Sequence, residues 1–420
     1  MKKSIVLEVS PNTEKDDAFL ALRILFSWNI FRNKTAVLQL EQRLKHFFHV
    51  DYLSLFTSAR GALYATLKSL DISRGDEVIL QAFTCSVVAD AILATGAKPV
   101  YADINEELTI SLKDIKGKIT ERTKAIIVQH TFGIPSDIPA LQKIVQNKDI
   151  SIIEDCAHVL GGELNQKKLG TFGDAAIFSF ARDKAFSSTF GGVTITKNKI
   201  LGDKIRLYRK QRSFPPFLWT VQQLLHPILC YFFVLPLYDF FSIGKLILVV
   251  SQKLNLLSKA ITNVEKNGKL SEISIKKLPG GLALLALNQI KKKDKYNKKR
   301  EEMVKAYNDI CTEKGIPTIY SKDAPLLRFP LLVEDREEMK QYFRKNGKIY
   351  LGDWYSNVVD PKDTRLKTLG YVKGSCPDAE AIAKRIINLP THPILSKEQK
   401  KHVLSIFADY VESKRNTKQN

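Results

Sequence analysis

The sequence predicts an α/β fold: a large domain built on a mainly parallel sheet, followed by a smaller α/β domain at the C-terminus. Three observations predict it. Apolar runs of strand character alternate with helical stretches between about residues 50 and 200, Gly and Pro punctuate the ends of these units, and 420 residues exceed what one compact core serves.

In chain order, the strand runs are EVIL (77–80), KPVYADI (98–104), KAIIVQH (124–130), ISIIEDC (150–156) and DAAIFSF (174–180). Runs this continuously apolar read as strands buried on both faces, the condition of a parallel sheet whose crossover helices cover it. Gly75 precedes the first run, and Gly96, Ala97, Lys98 and Pro99 open the second. No internal repeat of fixed period interrupts the alternation. After residue 300 come a helical stretch, a strand LLRFPLLV (326–333) and a helix from Asp335, and the tail ESKRNTKQN is expected to fray.

Residues 213–262 break the pattern. No Asp, Glu, Lys or Arg occurs between Arg212 and Asp239, a run of 26 uncharged residues, and the stretch that follows is nearly as apolar. The length suffices to span hydrocarbon, which takes about 20 residues. Pro215, Pro216, Pro227 and Pro236 divide it, however, and Gln222, Gln223 and His226 sit in its middle, so short helices lying in a membrane interface are the preferred reading. A buried helical hairpin or a dimer-interface element is the alternative. The segment KKKDKYNKKR (291–300) carries seven basic residues against one acidic and reads as a cationic helix face.

Composition narrows the function classes. Hydrophobic residues at 44% and charged residues at 26% exclude a mostly disordered chain, a collagen-like fibre and a polytopic membrane protein. The net charge of +21 calls for an anionic partner. Nucleic acid is set aside, because no aromatic interleaving, zinc motif or helix-turn-helix pattern accompanies the lysines. A phosphorylated metabolite and anionic headgroups remain. Cysteines 85, 156, 230, 311 and 376 form no CxxC pair and no cluster with histidines, so neither a disulfide framework nor a metal site is expected. The N-terminus, with about four apolar residues after its lysines, is too short for a secretory h-region, and a cytoplasmic location is expected.

The chemistry concentrates in residues 152–198. Asp155 closes one strand, and 29 residues later Lys184 follows another, just ahead of a Ser/Gly-rich loop. Singly, such an Asp is ordinarily a cap and such a Lys a surface residue. As an ordered set they meet the needs of pyridoxal phosphate: an amine to form a Schiff base, a carboxylate to keep the ring nitrogen protonated, and small donors for the phosphate, of which Ser179 is one.

Together with TSARGALYATLKSL (57–70), GDEVILQAFTCSVVADAILATGAKPVYADI (75–104), QHTFGIPSDI (129–138) and CPDAEAIAKRIINLPTHPILSKEQ (376–399), this block resembles the DegT-type sugar aminotransferases, a branch of the fold type I pyridoxal phosphate enzymes. The resemblance covers nearly everything except the insert. It implies a seven-stranded-type sheet and a division into a cofactor-binding domain (1–212), the apolar insert (213–262), a helix returning to the large domain and the dimer region (263–300), and a small domain (301–420). It further implies that Lys184 is the Schiff-base lysine and proton shuttle, that Asp155 pairs with the pyridinium nitrogen, and that His158 approaches the ring and its phenolic oxygen. Ser179 then binds the phosphate, and Ala59, Arg60 and Gly61 form the turn whose backbone N–H groups cradle it.

Three positions depart from the family pattern. Cys85 follows Thr84 where relatives place the aromatic that stacks on the ring, leaving Phe83 as a nearby substitute. Ile275, Lys276 and Lys277 replace the Asn-x-Arg that reaches the neighbouring subunit's phosphate, leaving Lys277 as a replacement charge. Arg60 is itself unusual and offsets the missing arginine. The expected activity is transfer of an amino group, by family resemblance from glutamate, to a nucleotide-linked keto sugar for a surface glycan, in a homodimer docked on the inner face of the cytoplasmic membrane. A lysine at position 184 favours transamination, since a dehydratase offshoot of the family has histidine there. The rival from another class is a membrane-docked scaffold or regulator that keeps the fold without turnover, and a third reading is elimination chemistry on the same cofactor.

Overall fold

Seven strands make the central sheet: β1 (Tyr52–Phe56), β2 (Glu77–Gln81), β3 (Lys98–Ala102), β4 (Thr123–Gln129), β5 (Ser151–Asp155), β6 (Ala175–Ser179) and β7 (Gly192–Thr196). Their spatial order is β1-β7-β6-β5-β4-β2-β3, with β7 antiparallel to both neighbours and the other pairings parallel. The computed structural model describes residues 4–7, 9–27, 33–320, 322 and 324–419. All five strand runs read from the sequence are strands, and β2, β6 and β7 are buried along their whole length, as sheets covered on both faces require.

The covering helices are α1 (Lys15–Leu25), α2 (Lys34–Phe48), α3 (Ala59–Ser69), α4 (Ser86–Leu93), α5 (Leu112–Lys118), α6 (Ile138–Val145) and α7 (Lys199–Lys210). Helix α2 shows the local logic. The Asn33 side chain accepts from Ala36 N–H at 3.0 Å to cap it, and the buried Ala36, Val37, Leu40, Leu44 and Phe48 recur at three- and four-residue steps along one face. Alternation along β5 puts Glu154 and Asp155 on opposite faces of the sheet. Glu154 accepts from the backbone N–H groups of Gly170, Phe172 and Gly173 and from His130 Nε2 at 2.6–3.1 Å. That carboxylate anchors the strand to the loop behind it, leaving Asp155 to the other face.

In the insert, α8 (Phe217–Leu229) continues through a wider turn, Cys230–Val234, and is followed by α9 (Ile243–Lys253). Helix α8 packs on α1 and on α10 (Gly280–Ile290), burying Thr220, Gln223, Leu224, His226, Pro227 and Ile228. The stretch Phe217–Val234 is long and apolar enough to cross a membrane, but 44% of it is buried in the protein's own core. Across the insert, Leu218, Phe233, Phe241 and Leu246 stay exposed. One face of the insert is core, as the buried-hairpin reading expects, and its other face carries exposed apolar side chains.

Helix α11 (Lys293–Lys314) leads into the small domain, where β8 (Phe329–Leu332) pairs antiparallel with β9 (Ile386–Leu389) among α12 (Arg336–Gly347), α13 (Pro377–Arg385) and α14 (Lys397–Gln419). Three boundaries differ from expectation. The division at residue 300 falls inside the continuous α11. Ile5 and Val6 pair in parallel with Ile349 and Tyr350, so the start of the chain joins the small domain's core. The tail is helical through Gln419, because α14 packs Val403, Phe407, Tyr410 and Val411 into that core. One further pairing matters for the site: Val359 and Asp360 pair in parallel with Thr84 and Cys85, which lays residues 354–361 over the ends of the large-domain strands.

Candidate active site

A cavity of about 370 Å³ opens where β4, β5 and β6 end, the edge at which open α/β sheets receive ligands. Asp155 and His158 come from the end of β5, Ser179 from the end of β6, Lys184 from the turn after it, and Ser58, Ala59 and Arg60 from the start of α3. Trp354 and Tyr355 descend from the small domain, and Ala260, Ile261 and Lys266 from the returning limb of the insert.

Asp155 is 4% exposed, and its Oδ1 accepts from Ala157 N–H at 2.9 Å, which leaves Oδ2 for a ligand. Burial pushes its carboxyl above the ordinary range, opposed by the Ala157 N–H and by the charge of Lys184. The Lys184 ammonium lies 4.4 Å from the centroid of the Trp354 ring, and its carbonyl accepts from Asn12 Nδ2 at 2.5 Å. Arg328 approaches the same indole at 3.6 Å.

His158 is held neutral. Its Nδ1 accepts from Phe132 N–H at 3.0 Å, so the ring proton resides on Nε2, which donates to Tyr355 Oη at 3.1 Å. Burial, with Lys184 and Arg328 adding to it, drives its pKa well below the usual value. The imidazole stacks with Phe132 at 7° and with Trp354 at 13°, making a flat aromatic wall.

At the other end, Ser58 caps α3 by accepting from Gly61 N–H at 3.1 Å, which leaves the N–H groups of Ala59 and Arg60 without a helical partner at the positive end of the helix dipole. Ser179 Oγ accepts from Ala181 N–H at 3.3 Å and keeps its own proton for an incoming oxygen. Two glycines permit this crowding. A Cβ on Gly192 would lie 2.2 Å from Ala59 N, and one on Gly61 would lie 1.8 Å from the Ser274 carbonyl oxygen.

Of the residues expected at the site, Ala59, Arg60, Cys85, Asp155, His158, Ser179 and Lys184 line the cavity. Gly61 stands behind its wall. Phe83 does not reach it: fully buried at a φ of 59°, it points into the core, edge-on to the Tyr355 ring at 5.3 Å. Lys277 also lies outside, its Nζ donating to the Lys210 carbonyl oxygen at 2.9 Å while its backbone bridges to Phe56. Arg60 turns away from the helix start, with Nη1 2.5 Å from Glu265 and Nη2 donating to the Ala260 carbonyl oxygen at 3.0 Å. Cys85 is a thiol pushed up to about 11 by burial.

Sequence reasoning missed Trp354 and Tyr355, which only the pairing of residues 359–360 with 84–85 brings here, and it missed the returning limb of the insert. Two arginines clamp that limb, Arg182 buried and Arg60 mostly so. Arg60 grips Ala260 and Glu265 from one side, and Arg182 grips the Ser258 carbonyl oxygen and Oγ, at 2.8 and 2.7 Å, from the other. Ser58 did carry a signal, as a Ser directly before a helical run.

The residues present fit pyridoxal phosphate. An amine and a buried carboxylate face one cavity, and at its other end the Ser179 hydroxyl and a glycine-packed helix start form a cradle for a phosphate.

Comparison with known proteins agrees. Residues 13–215 and 255–408 match the model of the DegT/DnrJ/EryC1/StrS aminotransferase family. An uncharacterized protein of Methanocaldococcus jannaschii is 29% identical over 86% of each chain. The GDP-perosamine synthase of Vibrio cholerae is 36% identical over 41% of this chain and 47% of its own length, so the match spans about half of that relative. Among solved structures, a sugar aminotransferase of Streptococcus pneumoniae in its pyridoxal phosphate form superposes with a TM-score of 0.72 at 20% identity, covering 98% of this chain and 99% of that one.

Proposed function

Because this chain belongs to the DegT/DnrJ/EryC1/StrS aminotransferase family, we propose that this pyridoxal phosphate-dependent aminotransferase moves the amino group of glutamate to a nucleotide-linked keto sugar destined for a surface glycan. The observation that carries the reading is the convergence of Lys184 and Asp155 on one cavity beside the α3 N-terminus and Ser179. The sugar named for the Vibrio cholerae relative supports the acceptor class.

When bound, pyridoxal phosphate supplies an aldehyde that takes up the amino group and a ring that accepts the electron pair freed at the substrate carbon. The chain's residues do the rest. Ser179 Oγ and the N–H groups of Ala59 and Arg60 hold the phosphate. Asp155 Oδ2 keeps the proton on the ring nitrogen, and the stacked wall of His158, Trp354 and Tyr355 bounds the ring and excludes water. Lys184 Nζ holds the cofactor covalently at rest and moves the proton at the reacting carbon of donor and acceptor.

The chain acts as a homodimer in this reading, and Lys277, which does not reach its own cavity, is left to serve the partner's phosphate. The location is the inner face of the cytoplasmic membrane, a reading supported by the exposed apolar side of the insert. Adding glutamate to the holoenzyme tests the enzymatic reading: its visible absorbance should bleach, with 2-oxoglutarate released, and should recover when an acceptor keto sugar is supplied. Absorbance unchanged by glutamate favours the non-catalytic scaffold instead.

A further inference from the structure

The returning limb of the insert has a second side. Residues 258–265 separate the cofactor cavity from a groove of about 390 Å³, and Arg60, Phe190 and Ala260 line both. A ligand lying across this shared wall meets the two spaces together. The far side of the groove is built by Trp219 and Gln222 on α8 and by Gln252 at the end of α9. These three residues fall in the gap, 216–254, between the two segments that match the family model, so they belong to this chain's own insert.

The groove has a definite chemistry. The half-buried Trp219 ring is fixed edge-on against Phe190 at 5.6 Å, which presents an indole plane at low entropic cost. The side-chain amides of Gln252, Asn255 and Asn263 have no hydrogen-bond partner among the described residues. Gln222 is oriented by donating to the Asn255 carbonyl oxygen at 2.7 Å and by accepting from Gln223 at 3.1 Å. The single acid in the lining, Glu265, is neutralised by Arg60, while Lys259 adds a positive charge at the rim. An aromatic plane, neutral amides that both donate and accept, and a cation suit a planar heterocycle carrying an anionic group.

We propose that this groove holds the nucleoside diphosphate end of the acceptor. The base lies on Trp219, the amides of Gln222 and Gln252 meet its edge or the ribose, Lys259 takes diphosphate charge, and the sugar passes the Ala260 wall toward Lys184. The inference rests on the aminotransferase reading for the acceptor's identity, and it makes the insert the element that selects the substrate.

Calorimetric titration of the full-length holoenzyme with UDP, GDP and dTDP tests it. At least one of the three should bind. Trp219→Ala should weaken that nucleotide ten- to a hundredfold. Lys259→Ala should weaken it at low salt and progressively less as ionic strength rises. Gln252→Ala, at the half-buried end of α9, keeps the test readable if the Trp219 variant does not fold, and should weaken binding severalfold. Failure of all three nucleotides to bind, or unchanged affinity in the variants that fold, overturns the proposal. Glutamate bleaching is measured separately: nucleotide binding without bleaching preserves the groove and removes the aminotransferase reading, and bleaching without nucleotide binding does the reverse.

Discussion

Arg60 and Glu265 form a 2.5 Å ion pair that ties the first turn of α3 to the returning limb of the insert, with side chains 11% and 2% exposed. Both partners lie in segments that match the family model, on either side of the insert. Removing one partner of a buried pair leaves the other charge uncompensated, which typically costs about 3–5 kcal/mol. Glu265→Gln should therefore lower the melting temperature and speed cofactor dissociation, because the limb roofing the cavity loses one of its two clamps. Thermal unfolding and cofactor release during dialysis are the measurements, and wild-type values for both would show the pair to be idle.

Asp90, on α4, is fully buried, both its oxygens lack a hydrogen-bond partner among the described residues, and burial, reinforced by Glu265, pushes its carboxyl up to about 8. The folded state therefore holds a proton that the unfolded chain, titrating near 4, releases. The resulting stability is complete below pH about 4 and is lost as pH rises toward 8. Asp90→Asn should flatten this decline and stabilise the protein at pH 8, measured by denaturant midpoints across pH. An unchanged slope in the variant would remove Asp90 from the account.

Histidines act with the opposite sign. His158, His226 and His392 are buried and held neutral, the last lowered to about 3. Their stabilisation is present above pH about 6.5 and is lost as pH falls from there toward their folded values, by about 1.4 kcal/mol per pH unit for each. Stability should fall steeply below pH 6.5. His158→Gln should lessen that dependence while costing about 1–3 kcal/mol at neutral pH for the orphaned Phe132 N–H. Denaturant unfolding at pH 5 and pH 7.5 reads both effects.

Asp155→Asn should leave the cofactor bound but slow glutamate-driven bleaching on the order of a hundredfold or more, since the carboxylate acts on charge developing in the ring. Lys184→Ala should prevent borohydride from fixing the cofactor to the chain. Fixation in the alanine variant would place the covalent bond on another lysine.

The outer face of the insert should bind anionic bilayers. The insert, residues 213–262, holds Lys245, Lys253 and Lys259 against one acid, Asp239, whose carboxylate is occupied by the Tyr350 and Ser4 hydroxyls. Phe241 and Leu246 are 86% and 61% exposed on the same insert. The full chain should sediment with phosphatidylglycerol-containing vesicles and not with phosphatidylcholine alone, and Phe241→Ser with Leu246→Ser should release it. Retention in the supernatant with anionic vesicles, or burial of this face in a dimer, would end the docking idea.

Five parallel-sheet strands were readable because strands covered on both faces must be apolar throughout, and composition records that directly. Asp155, Ser179 and Lys184 were readable because they sit at strand ends, where order along the chain sets position in space. Phe83 misled. Its type suits stacking, but its left-handed backbone turns the ring into the core, and no propensity of Phe predicts that conformation.

The order of residues by itself determined the layered α/β architecture and the lysine–carboxylate pair, since both follow from periodicity and from short separations within one sheet. Only the folded chain decided what closes the cavity: Trp354 and Tyr355 lie some 170 residues beyond Lys184, and Ala260 and Ile261 return from an insert that reads locally as membrane-seeking. Their placement depends on contacts between distant segments, the pairing of 359–360 with 84–85 and the grip of Arg60 and Arg182. The energy of such contacts is a property of two surfaces meeting, and neither sequence segment encodes it alone.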